Sequence, residues 1–222
     1  MQTKYHRLIT RSCFEDWFSE TALLEIITAN ITQDRVSYQF GHDYIHFDGS
    51  AFKAGFQYID EQFQVLYENI ENANYREARA ALGHISHSWQ DFYSHSNYVL
   101  LWTKKNNALG PKDIVPDDEG IMGLTDLISG KNYGLIEFFA LLPALKRLIL
   151  PLMPDDSHAK MNLDSPKSGR LFSYTYHAAV KRTQMILNKV QTALVIDEIG
   201  VSKINQFRGY ASIEERYNQT YE

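Results

Sequence analysis

The sequence predicts an all-α fold, a single-domain helical bundle. Three observations carry this. Apolar residues recur at spacings of three and four through several long segments, alternating strand patterns are scarce, and Gly, Pro and Asp clusters separate the periodic stretches. No repeat or low-complexity tract interrupts the pattern. With 222 residues the chain fits one large domain over 1–200, followed by a polar and loosely held tail over 201–222.

The elements follow in order. Ser19 caps a helix that runs through Leu23, Leu24, Ile26 and Ile27 to about Asn30. A second helix begins near Ser50, and its residues Phe52, Phe56, Ile59, Phe63, Leu66 and Ile70 form a core-facing stripe. A third is predicted from about Tyr75 to Trp102. The segment 103–134 is a long irregular connection. Another apolar helix is expected from Leu135 to about Ile149, bent or broken by Pro143. The last long helix spans roughly Leu171 to Ile196.

Composition excludes several classes. Hydrophobic residues at 44% and charged residues at 22% are ordinary for a soluble globular protein. Lys and Arg number 22 against 27 Asp and Glu, a formal charge of -5, so a bulk basic footprint for nucleic acid is missing. The single cysteine, Cys13, excludes an internal disulfide and paired-thiol chemistry. The first residues, Met-Gln-Thr-Lys-Tyr-His, lack the apolar core of a signal peptide. No apolar stretch reaches the roughly 18 residues of a spanning helix. The default expectation is cytoplasmic, with secretion by a signal-independent route as the alternative.

Chemistry concentrates in the third helix, at Gly83-His-Ile-Ser-His-Ser-Trp-Gln-Asp-Phe-Tyr-Ser-His95. Three of the eight histidines fall within the twelve residues 84–95, where an even spread gives roughly 0.4. At helical pitch His84, His87, Asp91 and His95 occupy an arc of about 80°. Leu82, Ile85, Trp89, Phe92 and Tyr93 define an apolar face, and Arg79, Gln90 and Asn97 a polar one. His87 to Asp91 and Asp91 to His95 are i,i+4 pairs, close enough to share or bridge metal ions. A solvated histidine stripe is the plain alternative. Against it stands a second cluster, Gly41-His-Asp-Tyr-Ile-His-Phe-Asp48, with two histidines and two aspartates in eight residues. Imidazole with carboxylate is a typical zinc ligand set.

His87-x3-Asp91 within Gln90-Asp-Phe-Tyr-Ser-His-Ser-Asn97 resembles the Het-C-related family. That family takes in fungal heterokaryon-incompatibility proteins and the N-terminal regions of some von Willebrand A-domain proteins. His46-Phe-Asp48, Leu-Ile-Ser-Gly at 127–130, Asn-x-Asp-Ser-Pro at 162–166 and His6-Arg-Leu-Ile-Thr10 add to the likeness, which spans about residues 5–195. More distantly the pattern is similar to zinc-dependent phospholipases C and single-strand-specific zinc nucleases, all-helical enzymes with three zinc ions.

The resemblance implies two to three zinc ions. His87, Asp91 and His46 would hold one, with Asp34 as a further ligand or general base. Asp91 would bridge to a second ion held by His6 and N-terminal backbone groups. His95 would begin a third site, completed by a histidine and a carboxylate from the C-terminal part. The pattern also departs from those enzymes. The gap from Asp91 to His95 is three residues where they have five. His177 is followed four residues on by Lys181 instead of an acid, so His158 with Asp156 or Asp164 is a rival pair. The enzymes begin at a processed Trp, and this chain at Met1.

His42, His84 and Asp48 lie beside the ligands as hydrogen-bonding partners that orient them, with plain surface placement as the alternative for the two histidines. The apolar segment 135–153 reads as a buried core helix or as a lipid-facing segment making peripheral membrane contact. The 14 tyrosines could stack nucleobases or simply pack. The expected function is zinc-dependent phosphoester hydrolysis of the phospholipase C kind, with Asp34 and Asp91 catalytic and a phospholipid favoured over nucleic acid as substrate. A single-strand nuclease or phosphatase using the same ions is the alternative within enzymes. A non-catalytic zinc-binding interaction module is the alternative of another class.

Overall fold

A computed structural model describes residues 1–39, 41–134, 136, 139, 143–197 and 199–210. The fold is all-α, and among the described residues no sheet forms. Its main helices are α1 (Thr3–Phe14), α2 (Glu20–Thr32), α3 (Phe52–Glu71), α4 (Tyr75–His95), α5 (Tyr98–Lys105), α6 (Pro143–Ile149), α7 (Leu171–Ile196) and α8 (Val201–Phe207). Among the described residues no helix is long and apolar enough to cross a membrane.

The helix α4 is the axis of the bundle, packed by α2, α3, α7 and α1. Its small residues let neighbours approach. A Cβ on Gly83 would stand 2.4 Å from the carbonyl oxygen of Ile26 and 2.9 Å from Ala29 Cβ, so α2 can lie this close only against glycine. Ala78, Ala81, Leu82 and Ile85 are buried beside it. From Ala81 to His95 only His84 and Trp89 retain appreciable exposure. The helix therefore does not present the polar outer face expected at Gln90, which is fully buried.

Other boundaries shift for local reasons. Thr3–Phe14, not expected as a helix, forms α1 and buries His6, Ile9, Thr10, Cys13 and Phe14 along one side. Ser19 caps α2 as expected, its hydroxyl accepting from the amide of Ala22. The helix expected through to Trp102 breaks at Ser96, which is extended. The reason is competition: the loop 126–130 takes the groups another turn would use. Gly130 N–H donates to the His95 carbonyl (3.0 Å), Asn97 N–H to the Ile128 carbonyl (2.9 Å), and the Asn97 amide pairs with Asp126 O and Ile128 N–H. The connection expected over 103–134 begins only after α5 ends at Lys105, and from there it is irregular apart from the short helical turns Pro111–Asp113 and Glu119–Met122. It is held by Tyr98, whose hydroxyl donates to Val115 O (2.6 Å) and accepts from Asp118 N–H (2.9 Å).

The expectation of a loose tail from residue 201 is corrected. Val201–Phe207 is a helix packed on α4 and α3, with Phe207 fully buried against Phe18 and Trp17. Arg208 donates to the Trp17 carbonyl (2.9 Å) and its guanidinium lies over the Trp17 ring. Residues 211–222 of that expectation lie outside the described residues. The segment 135–153 is described only in part. Most of its described apolar residues face outward: Ile136, Phe139, Leu145, Leu148 and Leu152 are exposed, Leu148 to 71% and Leu152 to 77%, while Met153 at its end is buried.

Gly83→Ala should lower stability although alanine is the better helix former by about 1 kcal/mol. The collision with α2 is with backbone, so a net loss of about 2 kcal/mol is expected. Thermal and denaturant unfolding check this, and an unchanged or higher melting temperature would refute the close α2–α4 contact.

Candidate metal centre

Asp91 has no exposed surface, and both of its oxygens face imidazoles. Oδ2 lies 2.8 Å from His46 Nδ1 and 3.0 Å from His87 Nε2. Oδ1 lies 3.1 Å from His6 Nε2 and 3.7 Å from His95 Nε2. Four histidines thus converge on one carboxylate, from α1, from the turn Asp43–His46 and from two levels of α4. Asp34, just past α2 and 22% exposed, brings Oδ1 to 3.8 Å from His87 Nε2. Thr3 donates to its other oxygen at 3.2 Å. His6, Asp34, His87 and Asp91 offer ligand atoms all within 4.8 Å of one another.

Local structure aims these groups. Phe47 separates His46 from Asp48 and adopts a left-handed conformation (φ 59°). That backbone costs a non-glycine residue about 1–2 kcal/mol. Burial of its ring against Phe52, Phe56, Trp89 and Phe92 offsets the cost, while the chain turns so that both neighbours face the centre. Gln90 sets His6. Its amide nitrogen donates to Thr10 (3.3 Å) and Thr183 (3.1 Å), which leaves Oε1 to accept from His6 Nδ1 at 2.6 Å. The proton is then on Nδ1, and the Nε2 lone pair faces Asp91.

A second cluster adjoins the first. Asp48, His95 and His158 offer ligand atoms within 4.8 Å of one another. Asp48 Oδ1 is 3.1 Å from His95 Nδ1 and 3.5 Å from His158 Nε2. The other ring nitrogen of His95, Nε2, lies 3.5 Å from Asp164 Oδ1. Asn162 Nδ2 donates to Asp164 Oδ2 (3.0 Å) and lies 3.1 Å from the His158 ring nitrogens. Ser94 donates to Asp164 Oδ1 at 2.8 Å. The Met1 α-amino group hydrogen-bonds Asp91 and stands 3.1 Å from Asp164 Oδ1 and 3.2 Å from His95 Nε2.

The donor set fits divalent ions. His46 Nδ1 and His87 Nε2 face each other at 3.2 Å around one carboxylate oxygen, while His46 Nε2 and His87 Nδ1 are buried without hydrogen-bond partners among the described residues. Lone pairs converging on buried carboxylates are the arrangement a cation completes. The charge states of Asp91 and His87 suit a cation, whereas His95 must first give up a proton. Burial opposes ionisation of Asp91, but the Met1 amine and the surrounding histidines outweigh it and hold the carboxyl well below its usual range. Burial pushes His87 down to about 4, against the pull of Asp91. Burial also disfavours charge on His95, yet Asp91, Asp48 and a hydrogen bond with Asp164 raise it to about 10.

Several expected residues stand elsewhere. His84 points to Gln62 Oε1 (3.0 Å) and not to the centre. His42 packs against the rings of Tyr38 and Tyr44. His177 stands apart from the centre, where burial and then the charges of Lys112 and Lys181 depress its pKa. His158 takes the place that the sequence left open between the two. It does so with Asp48 and Asp164, since Asp156 pairs with Lys131 (2.8 Å) and Tyr133 (2.7 Å). Asp48 is itself a ligand candidate and not only an orienting partner. Gln90 was missed as a positioning residue, although it sits about 60° from His87 on the helix and so at the edge of the stripe.

Residues 9–120, half of the chain, match the VWA7 N-terminal domain. The chain belongs to the VWA7 N-terminal domain family. No curated protein and no solved structure matches it. Within the family match lie Asp34, His46, Asp48, His87, Asp91 and His95, while His6, His158 and Asp164 fall outside.

Asp91→Asn should lose more bound zinc than alanine at any single histidine, because one carboxylate faces all four rings. Elemental analysis of zinc-loaded protein checks this, and equal zinc content in variant and wild type would refute the assignment. Zinc affinity should also rise between pH 7 and pH 10. Stability from charged His95 is fully present below about 6.5 and lost as pH rises through about 10. Zinc therefore competes with that proton at neutral pH, and loading releases about one proton. Calorimetry in buffers of different ionisation enthalpy measures the release.

Proposed function

We propose that the chain is a zinc-dependent phosphoester hydrolase acting on phospholipid in the manner of a phospholipase C. The observation that carries the reading is the buried Asp91 ringed by four imidazoles, with the partly exposed carboxylates of Asp34, Asp48 and Asp164 at the edges. A closed structural site would bury four ligands around one ion. Here the donors exceed what one ion needs and include carboxylates that reach solvent, as an open catalytic centre requires.

Zinc in this centre would acidify a water and polarise a phosphoryl oxygen. The protein's own groups supply the rest. Asp91 holds the positive charge of the centre with both oxygens and lets neighbouring sites share it. Asp34, at the rim and 3.8 Å from His87 Nε2, can orient a water and take its proton. His6, fixed by Gln90, and His46, fixed by the buried Phe47, keep their donors aimed without reorganisation.

Phospholipid as the substrate class rests on α6 and the turn after it. Leu145, Leu148 and Leu152 are exposed there, and Leu150 and Pro151 line a pocket that reaches Asp164. Exposed leucines beside a site suit peripheral contact with a lipid surface. One observation favours single-stranded nucleic acid as a second reading. Tyr5, Phe172 and Tyr176 form an aromatic pocket with Arg170, the Tyr5 and Phe172 rings 4.7 Å apart, a surface on which a base can stack.

Zinc-loaded protein should hydrolyse a short-chain phospholipid faster than single-stranded DNA, with activity removed by chelation and restored by zinc. Leu148→Asp combined with Leu152→Asp should weaken vesicle binding about tenfold or more, since each buried leucine contributes about 1.5–3 kcal/mol. Cleavage of DNA without vesicle binding would move the reading to a nuclease. Stoichiometric zinc with no turnover of any phosphoester would leave a zinc-binding interaction module.

A further inference from the structure

The pocket beside the second cluster has a volume of about 620 Å³ and a wall composition that discriminates between ligands. Its inner edge is Asp164 and Asn162, the pair that also touches His95 and His158. A molecule filling it would therefore abut the candidate centre. Leu150, Pro151 and Leu163 supply the apolar part of the lining. Lys160 and Lys167 supply two cations, and Gln2, Ser165 and Ser168 supply hydrogen-bonding groups. Among the described lining residues Asp164 is the single carboxylate, and it is already engaged by Ser94, Asn162 and the Met1 amine.

A quaternary ammonium group is held by aromatic faces or free carboxylates. Among the described residues this lining contains no aromatic side chain, and its charges other than that of the engaged Asp164, on Lys160 and Lys167, are positive. Lysine ammonium groups and serine hydroxyls instead suit phosphate and polyol oxygens. Lys160 pairs with Asp155 at 2.9 Å, but that aspartate is fully exposed, so the pair contributes little and can yield to a ligand anion.

We infer that this pocket receives a second anionic, hydroxyl-bearing group of the substrate, a phosphorylated polyol and not a choline-like cation, through Lys160 and Lys167. The inference rests on the hydrolase reading for the direction of the substrate, with the scissile phosphoryl group toward Asp91 and the second anion toward the lysines. The same chemistry occurs in a lipid headgroup and in a free polyol bisphosphate, and both can be presented to the protein.

The test uses calorimetry with inositol 1,4-bisphosphate and phosphocholine as soluble probes, on zinc-loaded and metal-free protein, and on Lys160→Gln/Lys167→Gln. Wild type should bind the bisphosphate at least about tenfold more tightly than phosphocholine, the scale of one charge-assisted hydrogen bond. The double variant should reduce that ratio to near one. A vesicle arm compares vesicles carrying phosphatidylinositol phosphate with vesicles of phosphatidylcholine. Preference on vesicles together with preference among soluble probes assigns the pocket to the headgroup itself. Soluble preference without vesicle preference assigns it to a free polyol phosphate. Equal affinity for the two soluble probes, or a preference unchanged in the double variant, would overturn the inference. Hydrolysis of a generic diester, read in parallel, separates the two proposals. Turnover without probe preference sinks the pocket alone, and lysine-dependent binding without zinc or turnover sinks the hydrolase reading alone.

Discussion

A carboxylate with no exposed surface, Asp91, sits at the centre of the bundle and governs how the rest is arranged. An unpaired ion at such depth costs several kcal/mol. The fold meets this by surrounding both oxygens with imidazoles from three separate segments of the chain. Each of those rings needs its own anchor. His6 has Gln90, and Gln90 is in turn held by Thr10, Asn30 and Thr183 from three different helices. With both ends of its amide engaged, Gln90 stiffens the core around it. The same demand explains why the stretch of α4 from Ala81 to His95 is buried almost all round: the part of the helix that carries the central carboxylate must have a neighbour wherever an imidazole arrives.

The two halves of the centre are built differently. The half with His6, His46 and His87 is positioned mainly by long helices and the aromatic cluster around Phe47. The half with Asp48, His95 and His158 is positioned by a backbone strap, Ser129–Lys131. Gly130 N–H donates to His95 O, its carbonyl accepts from Gly49 N–H, and the Lys131 carbonyl accepts from His158 N–H. Ser129 exchanges hydrogen bonds with Ser50 and donates to the Phe47 carbonyl. A Cβ on Gly130 would lie 2.6 Å from His158 Cα, so the strap passes there only as glycine. Three segments distant in sequence, each carrying a candidate ligand, are tied by one short stretch of chain.

What could be read in advance follows the reach of each signal. The His87-Asp91-His95 stripe was legible because helical pitch alone brings these groups to one side. The pairing of His46 and Asp48 with them was suggested by composition and by family likeness, but not by geometry. Gln90 and His84 show where the wheel misleads. Gln90 looked like an outward polar residue and is a buried anchor, while His84, nominally within the stripe, lies a turn too early and meets Gln62 on α3. The helix end at Ser96 was hidden for a similar reason. Nothing near Asn97 breaks a helix by propensity, and the competing hydrogen bonds come from residues 126–130.

Local sequence, through the three-and-four spacing of apolar residues, determined the helical class, the extents of α2, α3 and α7 within a few residues, and the clustering of ionisable groups on α4. These depend on contacts within a turn or two of the chain. Only the tertiary structure decided between His158 and His177, because that choice depends on which one the strap draws toward Asp48. It also decided that Val201–Phe207 docks through Phe207, and that the leucines of α6 face outward where periodicity allows either side. In each case the deciding partner lies far along the chain, so no local pattern encodes the outcome. The burial of Asp91 is the plainest instance. Its spacing from two histidines is written in α4, but the depth that makes its charge matter comes from the helices packed around it.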